Sequence, residues 1–326
     1  MRLFATSIRI NIHRSEKIRS IFVVVLMLWS TAASADMFKI PWKGDYKHNS
    51  TAPWSRANKD DSGFSRNFLN GTPEEGGKIQ ENGELWAETI VPANATGPIP
   101  YVVVMHGCMG LSSLTTEWAH HVGKVLNAEG IGVLILDSFT TRKVEKSCGM
   151  PDLHWGRRRA DDAYSALDYL IEKKLAKPDE VYLMGQSNGG LATLIAMSKQ
   201  EGDHPNRFAA GFPVVPSCIN TPTRYGDYDR PMIIFAGEND DANPSKYCIE
   251  MLKKKRAIPL QLIVYKESNH GFMEDYKPRT AYGWTDTHGK VHNWTLSYNP
   301  AAEKDMMATM VAAIKTRKFV SGVTIR

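Results

Sequence analysis

The sequence predicts an α/β fold with a mostly parallel, doubly wound sheet flanked by helices. Three observations predict it. Six short runs, 101–105, 131–136, 181–184, 209–215, 232–235 and 260–265, are almost continuously apolar, as strands are when a parallel sheet buries both faces. Between them lie helical patterns, the clearest placing Ala160, Ala163, Tyr164, Leu167, Leu170 and Ile171 on one face at spacings of three and four. Strand and helix therefore alternate, and the crossovers that join parallel strands put helices on the sheet faces.

The elements follow in order. Residues 1–35 have the form of a signal peptide. Arg2, Arg9, Arg14, Lys17 and Arg19 precede an apolar run at 21–29, and Ala33-Ser34-Ala35 offers the small-residue pattern that a signal peptidase accepts, leaving Asp36 first. The run is well short of the ~20 residues that cross a bilayer as a helix. Export to the periplasm or the medium is expected, without stable membrane insertion; an uncleaved anchor is the alternative. Residues 36–84 are polar, with scattered aromatics such as Trp42, Trp54 and Phe64, and read as an irregular extension. The α/β domain is expected over 85–318, opening on a strand at Leu85 and closing on a helix from Pro300 to Lys315, with 319–326 as a tail.

The formal net charge is +5, but removing residues 1–35 leaves 35 basic against 34 acidic residues. The basicity belongs to the leader, so no nucleic-acid partner is expected, since phosphate binding needs a clustered basic surface. The dense run at 253–256 reads as the solvated end of a helix. Four cysteines, Cys108, Cys148, Cys218 and Cys248, show no C-x-x-C spacing. In an exported chain they read as two disulfides rather than a metal or redox site. Three pairings are possible; Cys108 with Cys148 and Cys218 with Cys248 would each join neighbouring loops on one face of the expected fold.

Chemistry concentrates at the ends of the strands. Gly185-Gln186-Ser187-Asn188-Gly189-Gly190 lies between the strand at 181–184 and a helical run at 191–197. A sharp strand-to-helix turn of this kind presents a serine hydroxyl clear of the backbone, at a helix N-terminus that favours developing negative charge. Serine is a poor nucleophile without a base, and Asn269-His270-Gly271-Phe272, just past the last long strand, would bring His270 to the same edge. The third member is expected after the intervening strand at 232–235, where Gly237-Glu238-Asn239-Asp240-Asp241 follows. Asp240 is the choice, Asp241 the runner-up and Glu238 the third; Asp241 or Asn243 could instead cap a helix near Pro244. Backbone N–H groups of Cys108, within one residue, and of Asn188 would form the oxyanion hole, because His106-Gly107-Cys108-Met109-Gly110 turns at the end of the first buried strand.

The order Ser, Asp, His and its flanking segments resemble the dienelactone hydrolase family of the α/β-hydrolase fold. The segments are His-Gly-Cys-Met-Gly at 106, Arg159-Ala-Asp-Asp-Ala, Gly-Gln-Ser-Asn-Gly-Gly at 185, Gly-Glu-Asn-Asp-Asp-Ala-Asn-Pro at 237, Asn-His-Gly-Phe at 269 and Asn299-Pro300-Ala301-Ala302. The spacing from Gly237 to Pro244 puts Asp240 at the family's aspartate. Members named for dienelactone use a cysteine nucleophile and a glutamate near the oxyanion strand, where this chain has Ser187 and Gly107. The resemblance thus implies the exported, serine-bearing relatives, and hydrolysis of a small-molecule carboxylic ester or related acyl bond without metal or cofactor. A serine peptidase or amidase, or a non-catalytic binding protein, are the competing readings. No substrate-binding residue is assigned. Arg157 to Arg159 are expected to steady their helix by pairing with Asp161 or Asp162. The segment 274–299, with Tyr276, Tyr282, Trp284, Trp294 and Tyr298, is either an aromatic lid or a surface loop packed by its own rings.

Overall fold

In the computed structural model the described residues are 34–43, 82–144, 147–148, 156–201, 203–219, 227–275, 279–285 and 291–326, and they fall in one compact unit, Ala33–Arg326. The expected signal segment lies outside them except for its last two residues.

Each apolar run is a strand: β3 (Ile99–Met105), β4 (Gly132–Asp137), β5 (Ala176–Gln186), β6 (Gly211–Val214), β7 (Met232–Gly237) and β8 (Leu260–Tyr265). With β1 (Ser34–Lys43), β2 (Asn82–Val91) and β11 (Gly322–Ile325) they form a nine-stranded sheet in the order β1-β2-β4-β3-β5-β6-β7-β8-β11. Only β2 runs antiparallel to its neighbours; every other pairing is parallel.

The period of two sends alternate residues to opposite faces. Val103, Leu134, Leu183, Ile234 and Leu262 pack under α2 (Arg157–Glu172), α3 (Asn188–Ala196) and α4 (Lys246–Leu252). Val102, Ile135, Met184, Phe235 and Ile263 pack under α1 (Ser113–Ala128) and α5 (Pro300–Thr316) on the other face. Burial of each such side chain is worth about 1.5–3 kcal/mol, which is why the runs carry no polar face. Helix α5 starts as its residues dictate: the Asn299 side chain accepts the Ala302 N–H, and Pro300 opens the first turn.

Two boundaries differ from expectation. The extension is not irregular throughout, because Ser34–Lys43 pairs along its whole length with β2, from Ser34 against Val91 to Lys43 against Asn82. Ile40 and Trp42 are buried while Met37, Lys39 and Pro41 face solvent, an alternation hidden by the polar composition around it. The tail is likewise not free: β11 pairs in parallel with β8, and Val264 accepts the Arg326 N–H at 2.9 Å. Its side chains are exposed, so backbone pairing rather than burial holds it. Trp54 and Phe64 lie outside the described residues.

The disulfides join Cys108 to Cys148 and Cys218 to Cys248, as expected. No helix among the described residues is long and apolar enough to cross a membrane.

Candidate active site

In an open parallel sheet, loops at the carboxyl ends of the strands form the crevice in which ligands bind. Here β3, β5, β7 and β8 deliver His106, Ser187, Asp240 and His270 to that edge.

Ser187 occupies the turn between β5 and α3 with φ 53° and ψ −112°. A non-glycine residue in this region is strained by roughly 1–3 kcal/mol, a condition that persists only where surrounding structure enforces it. Two glycines permit the turn by close approach. A Cβ at Gly185 would stand 2.1 Å from the Gly189 carbonyl oxygen, and one at Gly189 would stand 2.6 Å from the His106 oxygen. Ser187 N–H donates to the Val214 carbonyl at 2.9 Å, fixing the elbow to β6.

The structure brings Ser187, His270 and Asp240 together. His270 Nε2 is 3.0 Å from Ser187 Oγ, and its Nδ1 is 2.9 Å and 3.0 Å from the two Asp240 oxygens. Asp240 is buried and also accepts the N–H groups of Ala242 and Asn243. The helix expected near Pro244 begins at Lys246, with Ser245 before it and no side-chain cap, so neither Asp241 nor Asn243 caps it. Burial pushes the His270 pKa down, but the Asp240 charge and hydrogen bond, helped by Glu274 and Asp241, outweigh it and raise the imidazole above its ordinary value. The two alternatives lie elsewhere: Asp241 accepts from Thr295, and Glu238 accepts the Glu267 N–H at 3.2 Å.

The turn after β3 abuts the serine. A Cβ at Gly107 would lie 3.5 Å from Ser187 Cβ, which puts the neighbouring Cys108 beside the elbow. Asn188 is the first residue of α3, and helix geometry leaves such an N–H without an internal acceptor. The Cys108 turn is held from several sides: Ser147 N–H donates to the Cys108 carbonyl at 2.8 Å, the disulfide ties it to Cys148, and the His106 ring meets the Gly107 carbonyl at 2.7 Å. His106 is fully buried; desolvation and the Arg159 charge push its pKa well down, so it is neutral. Its Nδ1–H donates to Gly107 and its Nε2 accepts the Ser138 N–H at 3.3 Å.

The arginine expectation needs correction. Arg158 does approach Asp161, at 3.9 Å, but Asp162 is gripped by Arg142 through two 2.7 Å bonds. Arg159 is wholly buried and turns to the site, donating to Asn188 Oδ1 at 2.8 Å and to the His106 carbonyl at 2.6 Å. Three adjacent arginines at a helix start read equally well as surface charge, so the sequence carried no signal for this role. A second unexpected pair ties the elbow to the histidine loop: Gln186 Nε2 donates to Glu274 Oε1 at 2.8 Å, both residues being buried.

The segment 274–299 contains two strands, β9 (Arg279–Thr285) and β10 (Val291–Leu296), paired antiparallel as a separate ribbon. Its Trp294 ring lies 5.8 Å from the His270 ring, tilted by 52°. Tyr276 is outside the described residues.

Among the described residues, one His/Asp/Glu cluster has a spacing that could hold a metal ion: Asp161, Glu201 and His204, with donor atoms within 4.8 Å. None of the three belongs to the serine constellation, and His204 lies flat on Tyr164 at 3.8 Å.

Comparison with known proteins bears on the fold. The model of the prolyl oligopeptidase family matches residues 124–227, a stretch that includes Ser187 but stops short of Asp240 and His270. No curated protein sequence matches the chain. Among solved structures, a dienelactone hydrolase-like promiscuous phosphotriesterase from metagenomic libraries superposes with a TM-score of 0.54 at 15% identity, over 87% of this chain and 99% of its own. A dienelactone hydrolase from Anabaena variabilis gives 0.51 at 18% identity, over 73% and 93%. By its sheet order and by these likenesses the chain has the α/β-hydrolase fold, with dienelactone hydrolases among the proteins that share it.

Proposed function

We propose that the protein is a serine hydrolase that cleaves a small-molecule carboxylic ester through an acyl-enzyme. The observation that carries this reading is the unbroken chain of contacts from Ser187 Oγ through His270 to Asp240, at 3.0 Å and 2.9 Å, set on a strained elbow. In it, Ser187 Oγ attacks the carbonyl carbon while His270 Nε2 takes the hydroxyl proton. Asp240 holds Nδ1–H, which leaves Nε2 unprotonated and aimed at the serine, and it stabilises the imidazolium that forms. The N–H groups of Cys108 and Asn188 would receive the charge on the carbonyl oxygen. Collapse expels the alcohol, protonated by His270, and water activated by the same Nε2 then releases the acid and restores Ser187. Side chains and backbone groups suffice for each of these steps, and we propose no cofactor.

Neighbouring structures named as a dienelactone hydrolase and as a phosphotriesterase support a small ester substrate. The family-model match supports a second reading, cleavage of an amide or peptide bond, because the same constellation serves both. Two disulfides support export of the mature chain from Asp36. Cleavage after Ala35 would remove only the first two residues of the ten-residue β1.

The test is intact-protein mass spectrometry after a fluorophosphonate probe. One covalent adduct on the native chain and none on Ser187→Ala is expected, followed by turnover of p-nitrophenyl esters and not of the matching anilides. A folded native chain without an adduct would refute the reading; faster anilide than ester turnover would favour the amidase.

A further inference from the structure

We infer that Arg159 is a positioning residue of the oxyanion hole: a buried guanidinium that spans the two segments carrying its donors and holds them at one spacing. The inference rests on the serine-hydrolase reading above. One terminal nitrogen donates to Asn188 Oδ1 at 2.8 Å, on the segment that follows Ser187, and the other donates to the His106 carbonyl at 2.6 Å, on the turn that leads to Cys108. These two segments come from different strands, and this side chain bridges them from behind. The planar fork suits the task, since its two nitrogens keep a fixed separation that a lysine ammonium cannot.

The electrostatics point the same way. Arg159 has no exposed surface and makes no ion pair among the described residues; its hydrogen bonds go to neutral acceptors, and its guanidinium carbon lies 5.1 Å from the Phe139 ring. The carboxylates that face it are Asp162, which is engaged by Arg142, and Asp137, whose Oδ1 accepts the Phe139 and Thr140 N–H groups. The other charged or titratable groups around it are Arg142 and His106, and His106 is neutral. Burial pulls the Arg159 pKa down to about 9, which still leaves the group charged at neutral pH. Burying a cation without a direct counter-ion costs stability, and such a charge behind a site where a negative oxygen develops is favourable only while that charge is present. Arg159 thus combines geometry and field: it sets the donors, and its charge favours the tetrahedral oxyanion over the ground-state carbonyl.

The experiment compares Arg159→Met, Arg159→Lys and Asn188→Ala with the native enzyme on an ester that the native enzyme turns over. Labelling of native Ser187 is established first, so that its failure would sink the serine-hydrolase reading and not this one. Arg159→Met is expected to lower kcat roughly 100-fold with KM within about threefold, the size of effect seen when an oxyanion donor is lost. Affinity for a trifluoromethyl ketone, which forms a tetrahedral oxyanion on the serine, should fall by the same factor as kcat/KM. Arg159→Lys should recover part of kcat through its charge, and Asn188→Ala, which keeps the backbone N–H, should lose about tenfold. If Arg159→Met does not fold, the lysine and Asn188 variants decide. Native-like kcat and ketone affinity in the folded variants, or losses confined to KM, would overturn the proposal.

Discussion

The carboxylate of Asp241 receives both the backbone N–H and the hydroxyl of Thr295, in three contacts of 3.0 Å. Thr295 adjoins Trp294, so the residue after Asp240 holds the hairpin that places an indole beside His270. A second tie, from Asn269 Nδ2 to Ser297 Oγ at 3.0 Å, joins the hairpin to the histidine loop itself. On the proposed reading, in which His270 would protonate the departing alcohol, Trp294 would stand on the leaving-group side.

Substituting Asp241→Ala should therefore raise KM about three- to tenfold, with kcat within about twofold, since the hairpin loses its tether and the base keeps its partner. The pair is solvent-exposed, so stability should change by no more than about 0.5 kcal/mol. Steady-state kinetics and a thermal melt test both halves. Trp294→Ala should give the same direction of change, larger for aromatic than for aliphatic leaving groups.

The pH profile follows from His270. Only its neutral form can take the serine proton, and its pKa is raised by Asp240, Glu274 and Asp241 against the opposing effect of burial. A raised pKa keeps the imidazole protonated to higher pH than free histidine. The acid limb of kcat/KM should thus fall above the ordinary value of 6.5, with activity rising through it toward alkaline pH. Asp240→Asn removes the largest raising influence, so the limb should move to lower pH while kcat drops by about 10³–10⁴. A limb at or below the ordinary histidine value in the native enzyme would contradict the assignment.

Strain at Ser187 predicts a trade of activity against stability. Glycine adopts positive φ at little cost, so Ser187→Gly should abolish probe labelling and stabilise the fold. Relief of roughly 1–3 kcal/mol of strain, less up to ~1 kcal/mol of added chain entropy, leaves about 1 kcal/mol, or a Tm rise of about 2–4 °C. Calorimetry on the two proteins measures it; an unchanged or lower Tm would mean that the elbow is not strained.

The Arg142–Asp162 pair makes a purely structural prediction. Both groups are buried, and Arg142 also donates to the Ser138 carbonyl at 2.8 Å. Arg142→Met leaves the Asp162 charge without its chelating partner and should cost about 3–5 kcal/mol in urea unfolding. A loss under about 1 kcal/mol would mean that Arg159, which also faces this carboxylate, compensates it.

Much of the fold was legible in the chain. The buried strands announced themselves because a parallel sheet covered on both faces tolerates only apolar residues. The elbow was readable because a strand-to-helix turn this tight demands small residues at Gly185 and Gly189. His270, the acidic stretch from Glu238 to Asp241 and the favoured cysteine pairing followed from chain order along the sheet edge. Less was legible where identity is set by backbone pairing: Gly322–Ile325 has exposed side chains and no core to betray it, and Ser34–Lys43 carried its alternation inside a polar stretch.

The sequence by itself determined the architecture and that Ser187 and His270 reach the same sheet edge, since these depend on local pattern and on the order in which strands enter the sheet. Only the tertiary structure decided which of Asp240 and Asp241 faces His270, that Trp294 stands beside that imidazole, and that Arg159 leaves its helix partners for Asn188 and His106. Those choices depend on side-chain direction and on which buried charge is already taken. Asp162 is chelated by Arg142, twenty residues away, and a linear pattern does not encode such competition between partners distant in the chain.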